Sequence, residues 1–347
     1  MRALILAGGL GTRLRPLTHT RPKHLLPIAN RPHIEHVLHL LRRHGIDEVV
    51  LTTSYMADAF DQTVSKAREE GLTLEVTHEV APLGTAGAIR HAASSLGDET
   101  FVAFNGDVLT DVDLGRVLDF HVDRGAKATV LLTPVDDPSA YGVVPTDENG
   151  LVRGFIEKPP PGEAPTNLIN AGVYVMEPEI LKRIPEGTVW SSEHSLFPEL
   201  VEAEELYAVG SDAYWMDIGT PQKYLQANMD AVEGRYESDL LPVSPEQRQA
   251  AIDAQPDVPH LWSFIAADRA DVAPSARFAS AVVGRGARIG EDASIFSSVL
   301  LPDVEVGRGA TIRNSVLGES VSVGAGVVVE NATLADGETV PSPGDDG

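Results

Sequence analysis

Three glycines within four positions follow the first apolar run of the chain, and polar side chains come directly after them. The segment runs through Leu6, Gly8, Gly9, Gly11, Thr12 and Arg13. Glycine lets a backbone approach a ligand closely, and consecutive N–H groups can form an anion-binding nest. Thr12 adds a hydroxyl donor, and Arg13 adds a planar guanidinium that suits phosphate oxygens. We interpret this segment as a candidate phosphate loop, with a structural tight turn as the alternative.

Two widespread phosphate loops do not fit this segment. The P-loop pattern requires Gly-Lys-Ser/Thr after its first glycine and four residues, and that tripeptide is absent. The dinucleotide-binding fingerprint requires a glycine where Leu14 stands. The chain has only six lysines, and one of them, Lys23, follows Pro22 ten residues after Arg13. Because proline restricts the backbone beside it, Lys23 is a second candidate phosphate ligand.

Two aspartates follow apolar runs at places where a metal ion could bind. Asp107 ends the run Phe101–Asp107, which closes with Asn-Gly-Asp. An aspartate there can form an Asx turn, but it also lies where parallel sheets bind their ligands, just after a strand. Asp217 stands among apolar residues shortly before Gly219. Carboxylate oxygens suit Mg²⁺, so both aspartates are candidate magnesium ligands.

Short apolar runs alternate with stretches of helical period over about the first 230 residues. Such alternation predicts an α/β fold with a Rossmann-like, mostly parallel mixed sheet and helices on both faces. The predicted strands are Ala3–Leu6, Glu48–Thr53, Leu72–His78, Phe101–Asn105, Ala128–Val135 and Val173–Met176. The predicted helices lie near Ile34–Leu41, Asp58–Glu70, Thr85–Leu96 and Leu114–Arg124.

A different pattern begins at about residue 271. An apolar residue, often followed by glycine, recurs every six residues through Val283, Ile289 and Ile295, and the pattern slips by one before Leu317. This period is typical of hexapeptide repeats, and it predicts a left-handed parallel β-helix. We place a first domain at residues 1–232, a polar connector at 233–262, and the β-helix with a polar C-terminal tail at 263–347.

Composition excludes several other classes of protein. The chain has 51 acidic and 27 basic residues and a formal net charge of −24, which excludes a broad basic surface for nucleic acid. It has no cysteine, so it has no disulfide framework, Cys-based zinc site or thiol nucleophile, and we expect a cytoplasmic location. No apolar run reaches the roughly 18 residues of a membrane span, and the first run is too short for a signal peptide.

The glycine loop with Pro22 and Lys23 resembles the signature of the sugar-phosphate nucleotidylyltransferases. The resemblance covers roughly residues 1–230 and continues more loosely into the predicted β-helix. It implies an enzyme that joins a nucleoside triphosphate to a sugar 1-phosphate and releases pyrophosphate. Arg13 and Lys23 would then stabilise charge on the α-phosphate and the leaving pyrophosphate. The resemblance also implies that Asp107 and Asp217 share one Mg²⁺.

Three short motifs resemble the sugar 1-phosphate site of the same family. They are Tyr-Gly at 141–142, Glu-Lys at 157–158 and Asn-Ala-Gly at 170–172. Any one of them alone could be a bulge, a surface ion pair or a turn. The resemblance implies that Glu157 and Asn170 bind sugar hydroxyls, that Lys158 meets the sugar phosphate, and that Gly142 offers its backbone.

Base recognition is predicted near the segment Glu79–Gly87, where Gly84 would let the backbone reach the base. An ionised carboxylate accepts hydrogen bonds and donates none, so Glu79 favours guanine, which presents two donors on one edge. Glu79 could equally be a loop acid that points away.

Among members of this family, the chain is most similar to those that make GDP-mannose from GTP and mannose 1-phosphate. Thymidylyl or uridylyl transfer to glucose 1-phosphate is one alternative. A non-catalytic regulatory subunit that binds an NDP-sugar is another. We expect the β-helix to be structural and to support a homo-oligomer, because the last histidine, His260, precedes the repeats and leaves them without a base for acyl transfer.

Overall fold

The computed structural model describes residues 1–241 and 264–343. The predicted connector at 233–262 and the end of the polar tail lie mostly outside these residues. The chain divides into two compact units, and the first comprises Met1–Gly9 and Val37–Trp215. The second comprises Leu10–His36 and Met216–Gly347, so the segment that follows the first glycines is grouped with the C-terminal part. Within the described residues, no helix is long and apolar enough to cross a membrane.

Strands and helices alternate over residues 1–241. The strands are β1 (Arg2–Leu6), β2 (Pro27–Ile28), β3 (Arg31–Pro32), β4 (Glu48–Thr53), β5 (Thr73–His78), β6 (Phe101–Asn105), β7 (Val108–Thr110), β8 (Ala128–Pro134), β9 (Gly142–Val143), β10 (Ile156–Glu157), β11 (Leu168–Met176), β12 (Leu206–Gly210) and β13 (Trp215–Asp217). The α-helices are α1 (His33–Arg43), α2 (Asp61–Glu69), α3 (Gly84–His91), α4 (Ala93–Leu96), α5 (Leu114–Arg124), α6 (Phe197–Glu202) and α7 (Pro221–Glu233). Shorter 3-10 helices cover Thr12–Leu14, Lys23–Leu25, Ala57–Phe60, Pro138–Ala140 and Pro178–Arg183, and a π-helical turn covers Ser192–Leu196.

The sheet of the first unit is mixed and mostly parallel, which confirms the predicted fold class. Its strand order is β10-β9-β11-β6-β1-β4-β5, and β8 joins β12 to β11. Strand β1 is parallel to β4 and β6, whereas β11 is antiparallel to β6 and β8. In this register Leu6 pairs with Thr52 and Asn105 at the carboxyl ends of the strands. The glycine loop and the Asn-Gly-Asp motif therefore leave the sheet at one edge, as parallel pairing requires.

Periodicity located the main elements of this unit well. Helix α5 runs from Leu114 to Arg124 as predicted, because Asp113 caps its first turn and Gly125 ends it in the left-handed region. The helix predicted at 58–70 is divided into a 3-10 turn and α2. Strand β12 and the π-turn that leads into α6 had no clear periodic signal. They are held by packing, since Leu196, Phe197 and Leu206 are fully buried in the core of the unit.

The C-terminal part of the second unit is a coil of parallel strands around a narrow apolar core, consistent with a β-helix. Its strands are β14 (Phe264–Ala266), β15 (Asp271–Val272), β16 (Arg277–Val283), β17 (Arg288–Ile289), β18 (Ser294–Leu300), β19 (Glu305–Val306), β20 (Thr311–Arg313), β21 (Val316–Leu317), β22 (Ser322–Val323), β23 (Val328–Glu330), β24 (Thr333–Leu334) and β25 (Thr339–Val340). The residues at the repeat positions, from Val283 to Val329, are buried against one another.

Each turn of this coil takes 17 residues, whereas three uninterrupted hexapeptides would take 18. The register shows this repeat directly, because Ile295 pairs with Ile312 and Ile312 pairs with Val329. Inward positions therefore follow a spacing of six, six and five, which explains the slip of one residue seen in the sequence. On the shortened side Ser297 and Asn314 adopt left-handed backbone conformations, which tighten the corner.

A short hairpin and α7 place residues 10–36 against the coil within the second unit. Strands β2 and β3 are joined by Ala29 and Asn30, which both have positive φ, as a two-residue hairpin turn requires. The Ala29 N–H donates to buried Asn228 Oδ1 at 2.9 Å, and Asn30 Nδ2 donates to the carbonyl of Val283 at 3.0 Å. Tyr224 Oη of α7 donates to the carbonyl of Pro27 at 2.7 Å. The segment that carries Arg13 and Lys23 is thus anchored at its C-terminal end.

Candidate active site

The first glycines of the loop lie directly beside the carboxylate of Glu79 in the first unit. The carbonyl of Gly8 accepts a hydrogen bond from Ser54 Oγ at 2.8 Å. A Cβ at Gly8 would lie 3.2 Å from Glu79 Oε1, so a side chain there would press on the carboxylate. Glu79 is buried, and its two oxygens accept from Thr52 Oγ1 and from the Leu83 N–H, both at 3.0 Å. These bonds fix the carboxylate and leave part of its acceptor capacity for a ligand.

The glycines that follow Glu79 have a packing role in the structure. Gly84 has a φ of +73°, and a Cβ there would lie 2.8 Å from the carbonyl oxygen of Trp190. A Cβ at Gly87 would lie 2.7 Å from the carbonyl oxygen of Thr188. The backbone of Trp190 is also hydrogen-bonded to this segment: its carbonyl accepts the Gly87 N–H, and its N–H donates to the Leu83 carbonyl. The Gly-Thr-Ala-Gly sequence is therefore explained by close backbone packing at the start of α3, whatever its part in binding a base.

The second part of the glycine loop packs against the segment of Lys23 in the second unit. Gly11 has a φ of +62°, and its carbonyl accepts from Thr18 Oγ1 at 2.8 Å. A Cβ at Gly11 would lie 3.2 Å from Thr18 Cγ2 and 3.4 Å from Lys23 Cβ. Lys23 opens a 3-10 helix directly after buried Pro22, while Thr12 and Arg13 are exposed. The structure thus brings together the glycine loop and the lysine that the sequence separates by ten or more residues.

Local hydrogen bonds explain the Asp-x-Gly-Thr-Pro sequence at the start of α7. Thr220 caps the helix by accepting the Lys223 N–H at 3.3 Å, and Pro221 takes the first helical position, where no N–H is needed. Asp217 Oδ1 accepts the Gly219 N–H at 2.8 Å. Its other oxygen lies 3.1 Å from Lys223 Nζ in a partly buried ion pair. The capped turn therefore fixes the direction of the Asp217 carboxylate.

Arg13 and Asp217 meet at Gly219 within the second unit. A Cβ at Gly219 would lie 2.9 Å from Arg13 Nη2 and 2.7 Å from Asp217 Oδ1, so both groups approach the same point. Lys223 adds a second positive charge at this carboxylate, a residue that the sequence analysis did not identify. Its only signal was its place in the first turn of the helix that follows the aspartate. The site thus combines Arg13 and Asp217 at one glycine, with Lys223 on the other oxygen of the carboxylate.

Replacing Gly219 with alanine is expected to lower turnover by about tenfold or more while the fold persists. The backbone at Gly219 does not need a positive φ, so the effect comes from the displacement of Arg13 and Asp217, and small misplacements of reacting groups are costly. Turnover and thermal unfolding of the purified variant would be measured together. Gly210→Ala is the matched control, because a Cβ there meets nothing within 4 Å. Equal turnover in both variants would contradict the assigned position of Arg13.

Gly142 and Glu157 face each other across strands β9 and β10, as the register pairs them directly. A Cβ at Gly142 would lie 2.7 Å from the Phe155 ring and 3.0 Å from Glu157 Oε2, so glycine is needed to admit both side chains. Lys158 Nζ lies 3.2 Å from Glu157 Oε1, and the backbone N–H of Lys158 donates to the carbonyl of Tyr141. The lysine side chain is largely exposed and the glutamate side chain is not. The predicted Glu-Lys pair is therefore an ion pair at the edge of the sheet.

The Asn-Ala-Gly motif lies against the Asn-Gly-Asp motif in the same unit. Asn170 Nδ2 donates to the buried hydroxyl of Tyr174 at 2.9 Å, and Asn170 Oδ1 accepts the Gly172 N–H. Gly172 has a φ of +72°, and a Cβ there would lie 2.7 Å from Asn105 Nδ2. Burial raises the pKa of Tyr174 well above its ordinary range, so this hydroxyl stays neutral. Trp215, the first residue of β13, also donates from Nε1 to the Ala171 carbonyl at 2.8 Å and so contacts the Asn-Ala-Gly motif.

The oxygen donors of the two aspartate motifs suit a hard cation. Asp107 follows β6 in the first unit and is partly buried, and Asp217 belongs to the second unit. Asn105 Oδ1 is buried and has no hydrogen-bond partner within residues 1–241 and 264–343, which leaves an oxygen acceptor close in sequence to Asp107. The described part of the chain holds no group of three or more His, Asp or Glu side chains arranged for a metal ion. Mg²⁺ typically takes one or two carboxylates and completes its shell with phosphates and water, so each aspartate by itself has the chemistry of a magnesium ligand.

Two protein families match this chain. Residues 2–234 match the family described as Nucleotidyl transferase. Residues 263–341 match the family described as GMPPB C-terminal domain. The first match contains every candidate site residue, and the second contains most of the coil.

Curated relatives are about 40% identical to the chain over the aligned residues. A Mycobacterium tuberculosis (strain ATCC 25618 / H37Rv) protein named mannose-1-phosphate guanylyltransferase is 40% identical over 291 residues, 83% of this chain and 76% of that protein. A Drosophila melanogaster protein named mannose-1-phosphate guanylyltransferase catalytic subunit beta is 43% identical over 65% of this chain and 61% of its own length. A Synechocystis sp. (strain ATCC 27184 / PCC 6803 / Kazusa) protein named UTP--glucose-1-phosphate uridylyltransferase is 38% identical over 65% of this chain and 62% of its own length. The chain thus spans less than two thirds of the Drosophila and Synechocystis proteins.

Solved structures share the fold of about two thirds of the chain. HddC from Yersinia pseudotuberculosis has a TM-score of 0.58 and 29% identity, and the match covers 65% of this chain and 97% of that one. The structure of HddC complexed with GMP-PN has a TM-score of 0.56 and 29% identity, and the match covers 65% of this chain and 97% of that one. A putative glucose-1-phosphate thymidylyltransferase from Bacillus anthracis has a TM-score of 0.60 and 25% identity, and the match covers 66% of this chain and 94% of that one.

Proposed function

This chain belongs to the nucleotidyl transferase family, and from that membership we propose that it transfers a guanylyl group from GTP to mannose 1-phosphate. The products are GDP-mannose and pyrophosphate. The names of the Mycobacterium and Drosophila relatives and the GMP-PN complex of HddC support this choice of substrates. The observation that carries the proposal is the packing of the glycine loop against Lys23, with Arg13 held at Gly219, because it makes a cationic cradle for a triphosphate.

The proposed reaction is an in-line displacement at phosphorus. An oxygen of the sugar 1-phosphate attacks the α-phosphorus of the nucleotide, and the bond to the pyrophosphate oxygen breaks. A phosphate monoester is already ionised, so no protein nucleophile and no covalent intermediate are required. The backbone N–H groups of residues 8–12 and the side chains of Arg13 and Lys23 would hold the triphosphate and offset the charge on the leaving pyrophosphate.

Asp107 and Asp217 are the residues that we propose as ligands of a divalent cation, which we take to be Mg²⁺. When bound, such a cation supplies positive charge next to the phosphate oxygens. Lys223 is a further residue of this group, because it neutralises Asp217 when no cation is present. Arg13 would keep its guanidinium toward the same carboxylate and the phosphates.

We assign the sugar 1-phosphate to Gly142, Glu157, Lys158 and Asn170. Glu157 and Asn170 offer acceptors for hydroxyl groups, and Lys158 is exposed enough to turn from Glu157 to a phosphate. Asn170 is held in place by Tyr174 and by the Gly172 N–H, so its orientation is set before a sugar arrives. We also propose that the C-terminal coil is a left-handed β-helix that supports a homo-oligomer, and that the enzyme is cytoplasmic.

A matrix of four nucleotides and two sugars tests the proposed function. GTP, dTTP, UTP and ATP would each be combined with mannose 1-phosphate and glucose 1-phosphate, with pyrophosphate release as the readout. The proposal expects the highest kcat/KM for GTP with mannose 1-phosphate. A preference for UTP or dTTP with glucose 1-phosphate would favour the second candidate, which the Synechocystis relative supports. No pyrophosphate in any combination would instead indicate a binding protein without activity.

Replacing Glu79 with glutamine is expected to reduce the preference for GTP over UTP by about ten- to a hundredfold, as loss of one paired donor–acceptor contact implies. The Leu83 N–H requires an acceptor, so the amide oxygen would stay on that side and the amide NH₂ would replace Oε1 beside Thr52 and Gly8. A donor there suits the carbonyls of uracil better than the N1–H and amino group of guanine. Competition between GTP and UTP gives the ratio of kcat/KM values.

Glu75→Gln is a suitable control for this substitution, because Glu75 is an exposed residue of β5, the strand that precedes Glu79. An unchanged GTP preference in Glu79→Gln would remove Glu79 from the base site and leave it as a structural acid beneath the loop.

A further inference from the structure

A partly buried cluster of charged side chains joins residues 20 and 21 to the C-terminal turns of the coil. Arg21 Nη2 lies 2.6 Å from Glu319 Oε2 and 2.8 Å from Asp336 Oδ2. Thr20 Oγ1 donates to the same oxygen of Asp336 at 2.5 Å. The other oxygen of Asp336 accepts the Glu319 N–H at 2.8 Å. All of these residues belong to the second unit.

The coil itself creates the place for the arginine. Glu319 and Asp336 are separated by 17 residues, so they occupy the same position in consecutive turns and stack on one side. Two stacked carboxylates repel each other, and a cation between them removes that cost. Burial alone would raise the pKa of Asp336, but hydrogen bonds from Thr20 and the Glu319 N–H, with the charge of Arg21, lower it instead. The cluster therefore favours the ionised carboxylate and the bound arginine together.

This cluster differs from the other ion pairs along the coil. The side chains of Arg21 and Asp336 are each only 18% exposed. In contrast, Arg313 and Glu330, which also pair between consecutive turns, are about half exposed and lie 3.5 Å apart. Exposed pairs contribute little to structure because water and salt screen them. The pair of Arg21 and Asp336 is shielded and held by several hydrogen bonds, so it can fix the backbone that carries Arg21.

The backbone at Arg21 leads directly to Lys23. Pro22 is buried, with a φ of −59°, and its carbonyl accepts the Leu25 N–H in the 3-10 helix that Lys23 opens. Proline restricts rotation between the two residues, so a shift of Arg21 is passed on to Lys23. Lys23 in turn packs at Gly11 of the glycine loop.

We propose that Arg21 is a positioning residue, which uses Glu319 and Asp336 of the C-terminal coil to hold Lys23 against the triphosphate. The coil then has a part in catalysis that is separate from any part in assembly. This inference rests on the proposed function, because it requires Lys23 to act on the phosphates. Turnover then depends on Glu319 and Asp336, which lie about 300 positions further along the chain than Arg21.

The test compares Arg21→Met and Asp336→Asn with Arg313→Met, a matched control on the exposed pair. We expect kcat to fall about tenfold in the first two variants, with KM for the sugar 1-phosphate within about twofold of the parent, since misplacement by less than 1 Å is enough. Arg21→Lys should recover part of kcat, because it keeps one ion pair. Arg313→Met should leave kcat unchanged. Unfolding temperatures of all variants would show whether each one is folded.

A double-mutant cycle separates positioning from a general loss of structure. If Arg21 acts through Lys23, adding Arg21→Met to Lys23→Ala should lower kcat no further. A further tenfold fall in the double variant, or normal kcat in both Arg21→Met and Asp336→Asn, would overturn the inference. If Lys23→Ala alone keeps normal turnover, the proposed role of Lys23 fails instead, so the two failures are distinguishable.

Discussion

Alanine in place of Lys23 is expected to lower kcat by about a hundred- to a thousandfold, the usual cost of losing one donor that stabilises transition-state charge. KM for the sugar 1-phosphate should change little, because the assigned sugar residues, Gly142 to Asn170, lie elsewhere in the sequence. The physical reason is that charge on the α-phosphate and pyrophosphate grows as the bond breaks, so a cation there acts more on the transition state than on the bound substrate. Steady-state pyrophosphate release, with each substrate varied in turn, gives both constants.

Lys182→Ala serves as the control for this substitution, because it removes an exposed lysine in a 3-10 helix of the first unit. Its kcat should match that of the parent protein. Near-normal kcat in Lys23→Ala would show that the cation at Gly11 has no part in the chemistry. A rise in KM for the nucleotide with unchanged kcat would assign Lys23 to binding alone.

Asparagine in place of Asp107 or Asp217 is expected to lower kcat by a hundredfold or more, as the loss of several kcal/mol of metal-based charge stabilisation implies. The substitution keeps the size of the side chain and one oxygen but removes the charge that holds a divalent cation. Each variant should therefore need a much higher Mg²⁺ concentration for half-maximal turnover. Treatment of the parent protein with EDTA should abolish turnover, and added Mg²⁺ should restore it.

Asp212→Asn is the matched control, since Asp212 is an exposed aspartate five residues before Asp217. It should show the Mg²⁺ dependence of the parent. Direct titration with Mn²⁺, followed by electron paramagnetic resonance, measures cation binding without turnover. Unchanged Mn²⁺ affinity in both Asp107→Asn and Asp217→Asn would remove these residues from the metal site. A change in only one of them would leave that residue as the ligand.

Local patterns were enough to predict most strands of the sheet and the start of the site. The apolar runs at Glu48–Thr53 and Phe101–Asn105 became strands with the predicted bounds, because a buried parallel strand needs a continuous apolar sequence. The candidate residues after β1 and β6 then followed from a general property of parallel sheets, which gather their functional loops at one edge. The glycines were predicted to let the backbone approach a ligand, and in the structure Gly11 packs against Thr18 and Lys23 while Gly84 packs against the backbone of Trp190.

Pairings between distant residues were decided by the tertiary structure. The sequence showed a slip in the repeat, but only the register revealed a 17-residue turn, and that turn stacks Glu319 on Asp336. The ion pair of Arg21 with these acids had no local signal, and that of Lys223 with Asp217 had only the place of Lys223 in the helix after the aspartate.

Sequence patterns alone indicate the nucleotidyl transferase family, most strands of the sheet and the chemical types of the candidate residues, because each depends on neighbours in the chain. Which charges meet depends on the folded chain, because a partner about 300 residues away is brought close by strand register and helix packing. Residues 10–36 show the difference most clearly. Their glycines and cations are evident from the sequence, whereas their support by α7 and the C-terminal coil is a property of the folded chain.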